Sequence, residues 1–142
     1  SGAPTFRVFS GLIYSLSAHR AVRRKKALEY INNKATLFFG LDKKSDGPEN
    51  EKVLKKVAAH IKKGKLKQIT VKGYADKTGH KLYNLQLSRS RADQTAKLLL
   101  MEPLPENTYV NTKGYGYRFY RDQKPDERCA LNERCVLFEV VE

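Results

Sequence analysis

Apolar residues recur along this chain in two rhythms. Val53, Leu54, Val57, Ala58 and Ile61 recur at helical spacing, with Pro48 suited to the first turn and Gly64 ending the run. From Gln68 to Tyr74, Ile69, Val71 and Gly73 alternate with polar neighbours, the period of a strand. Leu82, Leu85, Ala92, Thr95, Ala96 and Leu99 predict a second helix that stops before Pro103 and Pro105. Thr36 to Leu41 reads as a short apolar strand, Tyr109 to Tyr117 as another, and Val136 to Val141 as the closing one. Polar loops are expected at Asp42 to Pro48 and at Arg121 to Arg128. From residue 35 the order is strand, helix, strand, helix, strand, strand. That order predicts an α+β fold with helices packed on one mixed sheet.

Residues 1–34 form an extension ahead of this unit, which spans residues 35–142. Pro4 to Leu16 is apolar-rich and irregular, and is expected to be a strand or a short packing segment. Ser17 is placed as the N-cap of a helix running to about Asn32, with Arg20, Arg23, Arg24, Lys25 and Lys26 crowding its polar faces. Such a helix can lie on an anionic membrane or dock on the domain with one wet face, and the second reading is favoured. The opening Ser1-Gly2-Ala3-Pro4 looks like a cloning scar or an internal start, so the lack of a visible signal peptide carries no information.

The 142 residues, 40% of them hydrophobic, suit one domain with an ordinary core. A net charge of +13 favours an anionic partner: nucleic acid, an anionic membrane or an acidic wall polymer. The run Lys62-Lys63-Gly64-Lys65-Leu66-Lys67 reads more simply as a helix end and turn. Cys129 and Cys135 are the only cysteines, and the three histidines stand at no metal-ligand spacing to them. A disulfide between them would fit an oxidising compartment; two free thiols is the other reading, and spacing does not choose. No cofactor is implied. Catalysis has little support, because no histidine pairs with a nucleophile and Asp76 has no second carboxylate at a useful spacing.

Lys113-Gly114-Tyr115-Gly116-Tyr117-Arg118-Phe119-Tyr120 is close to the RNP1 motif, in which strand aromatics stack on bases. Arg118 takes the place of a buried valine and no RNP2 strand lies upstream. The basic nucleic-acid module is therefore the alternative, and the tyrosines read better as packing groups.

The most informative pair is Asp76, in Gly73-Tyr74-Ala75-Asp76-Lys77-Thr78-Gly79, and Arg91, in Leu87-Ser88-Arg89-Ser90-Arg91-Ala92. A carboxylate and a guanidinium can together hold a ligand bearing both an ammonium and a carboxylate. An exposed Asp–Arg bridge contributes only about 0–1 kcal/mol, so stability alone is a weak reason for the pair. One geometric tension follows. An unbroken helix from His80 puts Arg91 roughly 16 Å along its axis. A fresh helix start is therefore expected at Ser88, with Arg91 in its first turn.

These residues resemble the OmpA-like (OmpA/MotB C-terminal) family, whose pattern is G-[HY]-[TA]-D-x-x-G followed by YN-x-x-LS-x-x-RA. Here that is Gly73-Tyr74-Ala75-Asp76, Gly79, Tyr83-Asn84, Leu87-Ser88 and Arg91-Ala92. Gly114-Tyr115-Gly116 is similar to the family's later G-x-G, and Asn132-Glu133-Arg134-Cys135 to its NRRV close, with Glu133 in place of arginine and Cys135 in place of valine. The resemblance covers residues 35–142. It implies non-enzymatic binding of peptidoglycan through the diaminopimelate end of the stem peptide. Asp76, with its neighbour Ala75, would take the ammonium and Arg91 the carboxylate; Asn84 would shape the loop or donate a hydrogen bond, and Arg134 would brace the site. It further implies a periplasmic domain of a Gram-negative envelope complex, as in MotB-type stator subunits and secretion-system accessory subunits. In that setting the N-terminal segment leads to a membrane anchor, can control access to the wall, and is compatible with a homodimer. A degenerate relative serving only protein–protein assembly is a further alternative.

Overall fold

The computed structural model describes residues 3–40, 47–117, 128–129 and 134–141, with side chains from residue 15 onward. Three helices and four strands follow in the order α1 (Ala3–Asn33), β1 (Thr36–Phe38), α2 (Gly47–Gly64), β2 (Gln68–Ala75), α3 (Lys81–Leu100), β3 (Tyr109–Tyr117) and β4 (Cys135–Val140). The sheet order is β1-β4-β2-β3. β2 pairs parallel with β3 and antiparallel with β4, and β1 pairs antiparallel with β4. From β1 onward this is the α+β order expected from the apolar rhythm. The loop expected at 121–128 lies outside the described residues apart from Arg128, and so do residues 41–46 of the first polar loop.

α2 forms where its pattern says it should. Leu54, Val57, Ala58 and Ile61 are buried, Glu49 lies in the first turn, and Lys62 and Lys63 lie in the last, each favourable to the helix dipole. It ends at Gly64, as expected. Lys65, not Gly64, takes the left-handed conformation (φ 50°), and the Leu66 amide bonds back to the Ile61 carbonyl at 3.1 Å. Gly64 is needed for packing: a Cβ there would lie 2.8 Å from Ala27 Cβ on α1. The buried Asn50 side chain holds α2 to β1, accepting from the Phe38 amide at 3.1 Å and donating to its carbonyl at 2.7 Å.

Two expectations about the N-terminus fail. Residues 4–16 are neither a strand nor a short separate segment, and Ser17 caps nothing, because α1 runs unbroken from Ala3 to Asn33. Ser, Gly and β-branched residues cost a helix less than about 1 kcal/mol each, and no proline lies within it after Pro4. Among the described side chains, only those at the end of α1 pack on the domain: Ala27 and Ile31 are buried, and Tyr30 stacks on His60 of α2 with centroids 4.2 Å apart.

The main core lies between the sheet and the helices, built from Ile69, Val71, Val136, Phe138, Ile61 and Leu99 among others. Strand alternation turns Tyr74, Cys135 and Leu137 to the opposite face, where they form a second small cluster with Cys129 and Tyr115.

Candidate functional site

β2 ends at Ala75, and Asp76 follows it at the mouth of the β2–α3 loop. Asp76 is 7% exposed. Its Oδ1 accepts the Thr78 amide at 2.9 Å, which closes a local turn. Its Oδ2 accepts from Arg134 Nη1 at 2.5 Å. Asn84, one turn into α3, donates from Nδ2 to the Asp76 carbonyl at 3.2 Å. Arg134, just ahead of β4, also donates from Nε to the Phe39 carbonyl at 3.0 Å, while the Phe39 amide bonds to the Arg134 carbonyl. The start of β4 and the end of β1 thus hold the guanidinium against Asp76.

Arg91 is fully buried. It donates from Nη2 to the Gly40 carbonyl at 3.1 Å, and its guanidinium carbon lies 5.5 Å from the centroid of the Phe39 ring. Asp76, Arg91, Arg134 and Asn84 all line one cavity of about 240 Å³, with Ala75, Thr78, Gly79, Tyr83 and Leu87. The fresh helix start expected at Ser88 does not exist, since α3 is continuous from Lys81 to Leu100. Arg91 reaches the cavity by another route. Helix side chains lean toward the N-terminus, so its long guanidinium arm falls back to the level of Leu87 and Asn84.

Ser88 has a different task. Its hydroxyl donates to the Leu85 carbonyl at 2.9 Å and accepts the Gly116 amide of β3 at 2.8 Å. The helix approaches the sheet closely at this level. A Cβ on Gly73 would lie 2.0 Å from the Ser88 carbonyl oxygen, and one on Gly114 would lie 2.5 Å from the Arg89 nitrogen. The glycines of both motifs therefore seat α3 on β2 and β3 and fix the height at which Asn84 and Arg91 meet Asp76. Tyr115, from the segment like RNP1, stacks on Tyr74 with centroids 5.2 Å apart. It is a packing group on an edge strand; residues 118–120 of that segment lie outside the described residues.

Cys129 and Cys135 are joined by a disulfide. Arg128 beside it donates from Nη1 to the Ile31, Ala35 and Phe138 carbonyls, tying the end of α1 to β4. Residues 130–133 of the closing motif lie outside the described residues. Nothing in the sequence marks the Phe39 and Gly40 carbonyls or the Thr78 amide as members of the site, because backbone groups leave no residue-type signal. Among the described residues no group of three His, Cys, Asp or Glu side chains could hold a metal ion. A larger cavity of about 360 Å³ between β1, α2 and α3 contains none of the motif residues.

Comparison with known proteins gives a consistent result. The profile of the OmpA family matches residues 38–133. The peptidoglycan-associated lipoprotein of Brucella melitensis is 31% identical over 86 residues, which cover 61% of this chain and 51% of that protein. The chain thus spans about half the length of the curated relatives it matches. Among solved structures, the OmpA-like domain of FopA1 from Francisella tularensis aligns over 75% of this chain and 72% of that one, with a TM-score of 0.57 and 24% identity. The peptidoglycan-associated lipoprotein of Burkholderia pseudomallei aligns over 76% of this chain and 91% of that one, with a TM-score of 0.57 and 21% identity. The C-terminal domain of Helicobacter pylori MotB aligns over 75% and 84% respectively, with a TM-score of 0.51 and 19% identity. At these identities the structural matches speak to the fold.

Proposed function

Because the chain belongs to the OmpA family, we propose that its Asp76 cavity binds peptidoglycan non-covalently, taking the free diaminopimelate end of a stem peptide. In this way it tethers an envelope complex to the wall from the periplasm. The carrying observation is that Asp76, Arg91 and Arg134 line one cavity of about 240 Å³. Relatives named for their association with peptidoglycan support the same reading.

The chemistry is a clamp for a zwitterion. A carboxylate offers about four acceptor positions, and Thr78 and Arg134 occupy two of those on Asp76. The others can take a ligand ammonium. Two guanidiniums against one carboxylate leave the cavity positive, which suits a ligand end whose carboxylates match or outnumber its ammonium groups. Arg134, the more accessible of the two, meets the ligand carboxylate, and Arg91 sets the potential from within. The N-terminus of α3 adds to this field, since His80 at its N-cap makes no side-chain bond to the helix. The site binds and holds without cutting.

The test is co-sedimentation with purified sacculi, with and without free diaminopimelate as competitor. Wild type should pellet and be released by the amino acid. Asp76→Ala should weaken binding by roughly 30-fold or more, the scale for removing one partner of a buried charged contact. Arg91→Lys keeps the charge but loses the fork, and should weaken it less. If all three folded proteins pellet alike and ignore diaminopimelate, the clamp is refuted and general charge attraction explains the binding.

A further inference from the structure

Asp76 and Arg134 are unequal members of their ion pair. The Asp76 side chain is 10% exposed and that of Arg134 is 34% exposed. The guanidinium is therefore the outer group, and a ligand ammonium arriving from solvent meets it before the carboxylate. One carboxylate oxygen already accepts the Thr78 amide, and the other accepts from Arg134 Nη1. An ammonium and Nη1 are both cationic N–H donors, so they compete for the same acceptor.

Arg134 is built to give way at its tip alone. Its Nε donates to the Phe39 carbonyl at 3.0 Å, and its own carbonyl accepts the Phe39 amide. Both bonds lie at the root of the guanidinium, on the line where β1 and β4 pair. A turn about the Nε bond carries Nη1 off Asp76 and leaves that pairing intact. Arg91 has no such freedom, because it is fully buried and set against the Phe39 ring. Glu133 stands where the family pattern has an arginine, so within the closing motif the exchange falls to Arg134.

We propose that Arg134 determines specificity by exchanging partners. In the ligand-free protein it occupies the place of the ligand ammonium on Asp76, and it yields that place to a ligand whose carboxylate it takes up in return. This rests on the reading of the cavity as a zwitterion clamp and adds that the two charges are read jointly. A zwitterion replaces one ion pair by two. A plain amine that takes Asp76 strands a guanidinium that is two-thirds buried. A plain carboxylate that takes Arg134 strands the Asp76 carboxylate, which is more deeply buried still. Leaving one charge of a buried pair without its partner is strongly unfavourable. General attraction by a chain of net charge +13 would instead favour any anion.

The test titrates the full chain with three compounds and follows binding by NMR: diaminopimelate, 1,5-diaminopentane, which lacks its carboxylates, and pimelate, which lacks its amines. Wild type should bind diaminopimelate at least roughly a hundredfold more tightly than either analogue. Arg134→Gln, checked for folding by its thermal melt, should bind diaminopimelate roughly tenfold or more weakly. The same variant should bind 1,5-diaminopentane roughly tenfold or more tightly than wild type does, since the competing donor is gone. In wild type, the Arg134 Nε–H signal should shift when diaminopimelate binds, a readout that needs no variant. An unmoved signal, pimelate binding as tight as diaminopimelate, or 1,5-diaminopentane binding no tighter in Arg134→Gln would each overturn the exchange. Asp76→Ala separates the two readings. If it loses diaminopimelate while Arg134→Gln changes nothing, the clamp stands and the exchange falls; if it too changes nothing, both fall.

Discussion

Gly73→Ala tests whether the close seating of α3 on the sheet is what builds the site. The added Cβ would stand 2.0 Å from the Ser88 carbonyl oxygen and 2.8 Å from its carbon, where real contacts do not fall under 3.0 Å. That oxygen belongs to the middle of a 20-residue helix and cannot rotate away. α3 must therefore retreat by about 1 Å or more. The same movement lengthens the 2.8 Å bond from the Gly116 amide to Ser88 Oγ to about 3.8 Å, beyond hydrogen-bonding range. Overpacking of this kind costs about 1–3 kcal/mol, and a buried amide left without its acceptor about 1–3 kcal/mol more. The expected loss is about 3–5 kcal/mol, or roughly 10–17 °C in Tm for a domain of this size. Urea unfolding followed by circular dichroism measures it, with Gln68→Ala at the exposed start of β2 as the control. Sacculus binding should fall at temperatures where the variant is still folded, because Arg91 and Asn84 move with the helix while Asp76 and Arg134 stay with the strands. A midpoint and slope equal to wild type, with unchanged binding, would refute the seating argument.

Ser88→Ala leaves the backbone in place and removes the hydroxyl that accepts the Gly116 amide and donates to the Leu85 carbonyl, so it should cost about 1–3 kcal/mol in urea unfolding, less than Gly73→Ala. Cys129→Ser with Cys135→Ser opens a short disulfide loop and should destabilise by about 2 kcal/mol; in wild type both thiols should resist alkylation until a reductant is added. The alkaline limb of stability should reflect Lys72 and Tyr30. Burial pulls the Lys72 ammonium down, but its bond to and charge interaction with Glu139, helped by Tyr74 and Tyr115, leave it raised. Burial alone raises the Tyr30 hydroxyl. Groups raised in the folded state contribute stability below their unfolded values, about 10 for both, and lose it as pH climbs through the folded ones. Thermal melts from pH 8 to 11 should therefore show a decline above about pH 10 that is shallower in E139Q and in Tyr30→Phe; parallel curves for all three proteins would count against both assignments.

Much of the fold follows from the chain's own rhythm. The apolar spacing of α2, the alternation of β2 and the turn residues between elements specify strand, helix, strand, helix, strand, strand, because local periodicity and a buried face go together. The candidate site residues were legible too, since Asp76, Asn84, Arg91 and Arg134 stand in an ordered motif that carries the family resemblance, and they line one cavity. What the sequence could not determine was their geometry. The buried stripe of α3 begins with Asn84, Ser88 and Arg91, polar residues that an apolar count assigns to water, while Leu82 is 62% exposed. Only packing against Gly73, Gly114 and the end of β1 makes that polar stripe the inner face. The direct partner of Asp76 is Arg134, fifty-eight positions away, and Arg91 is held by the Gly40 carbonyl, fifty-one positions away. Such pairings depend on strand order, which sequence spacing does not encode. For the same reason the sequence alone could name a basic helix at the N-terminus but not its direction. The contacts of Ala27 with Gly64 and of Tyr30 with His60 set it antiparallel to α2, and such contacts exist only once both helices are in place.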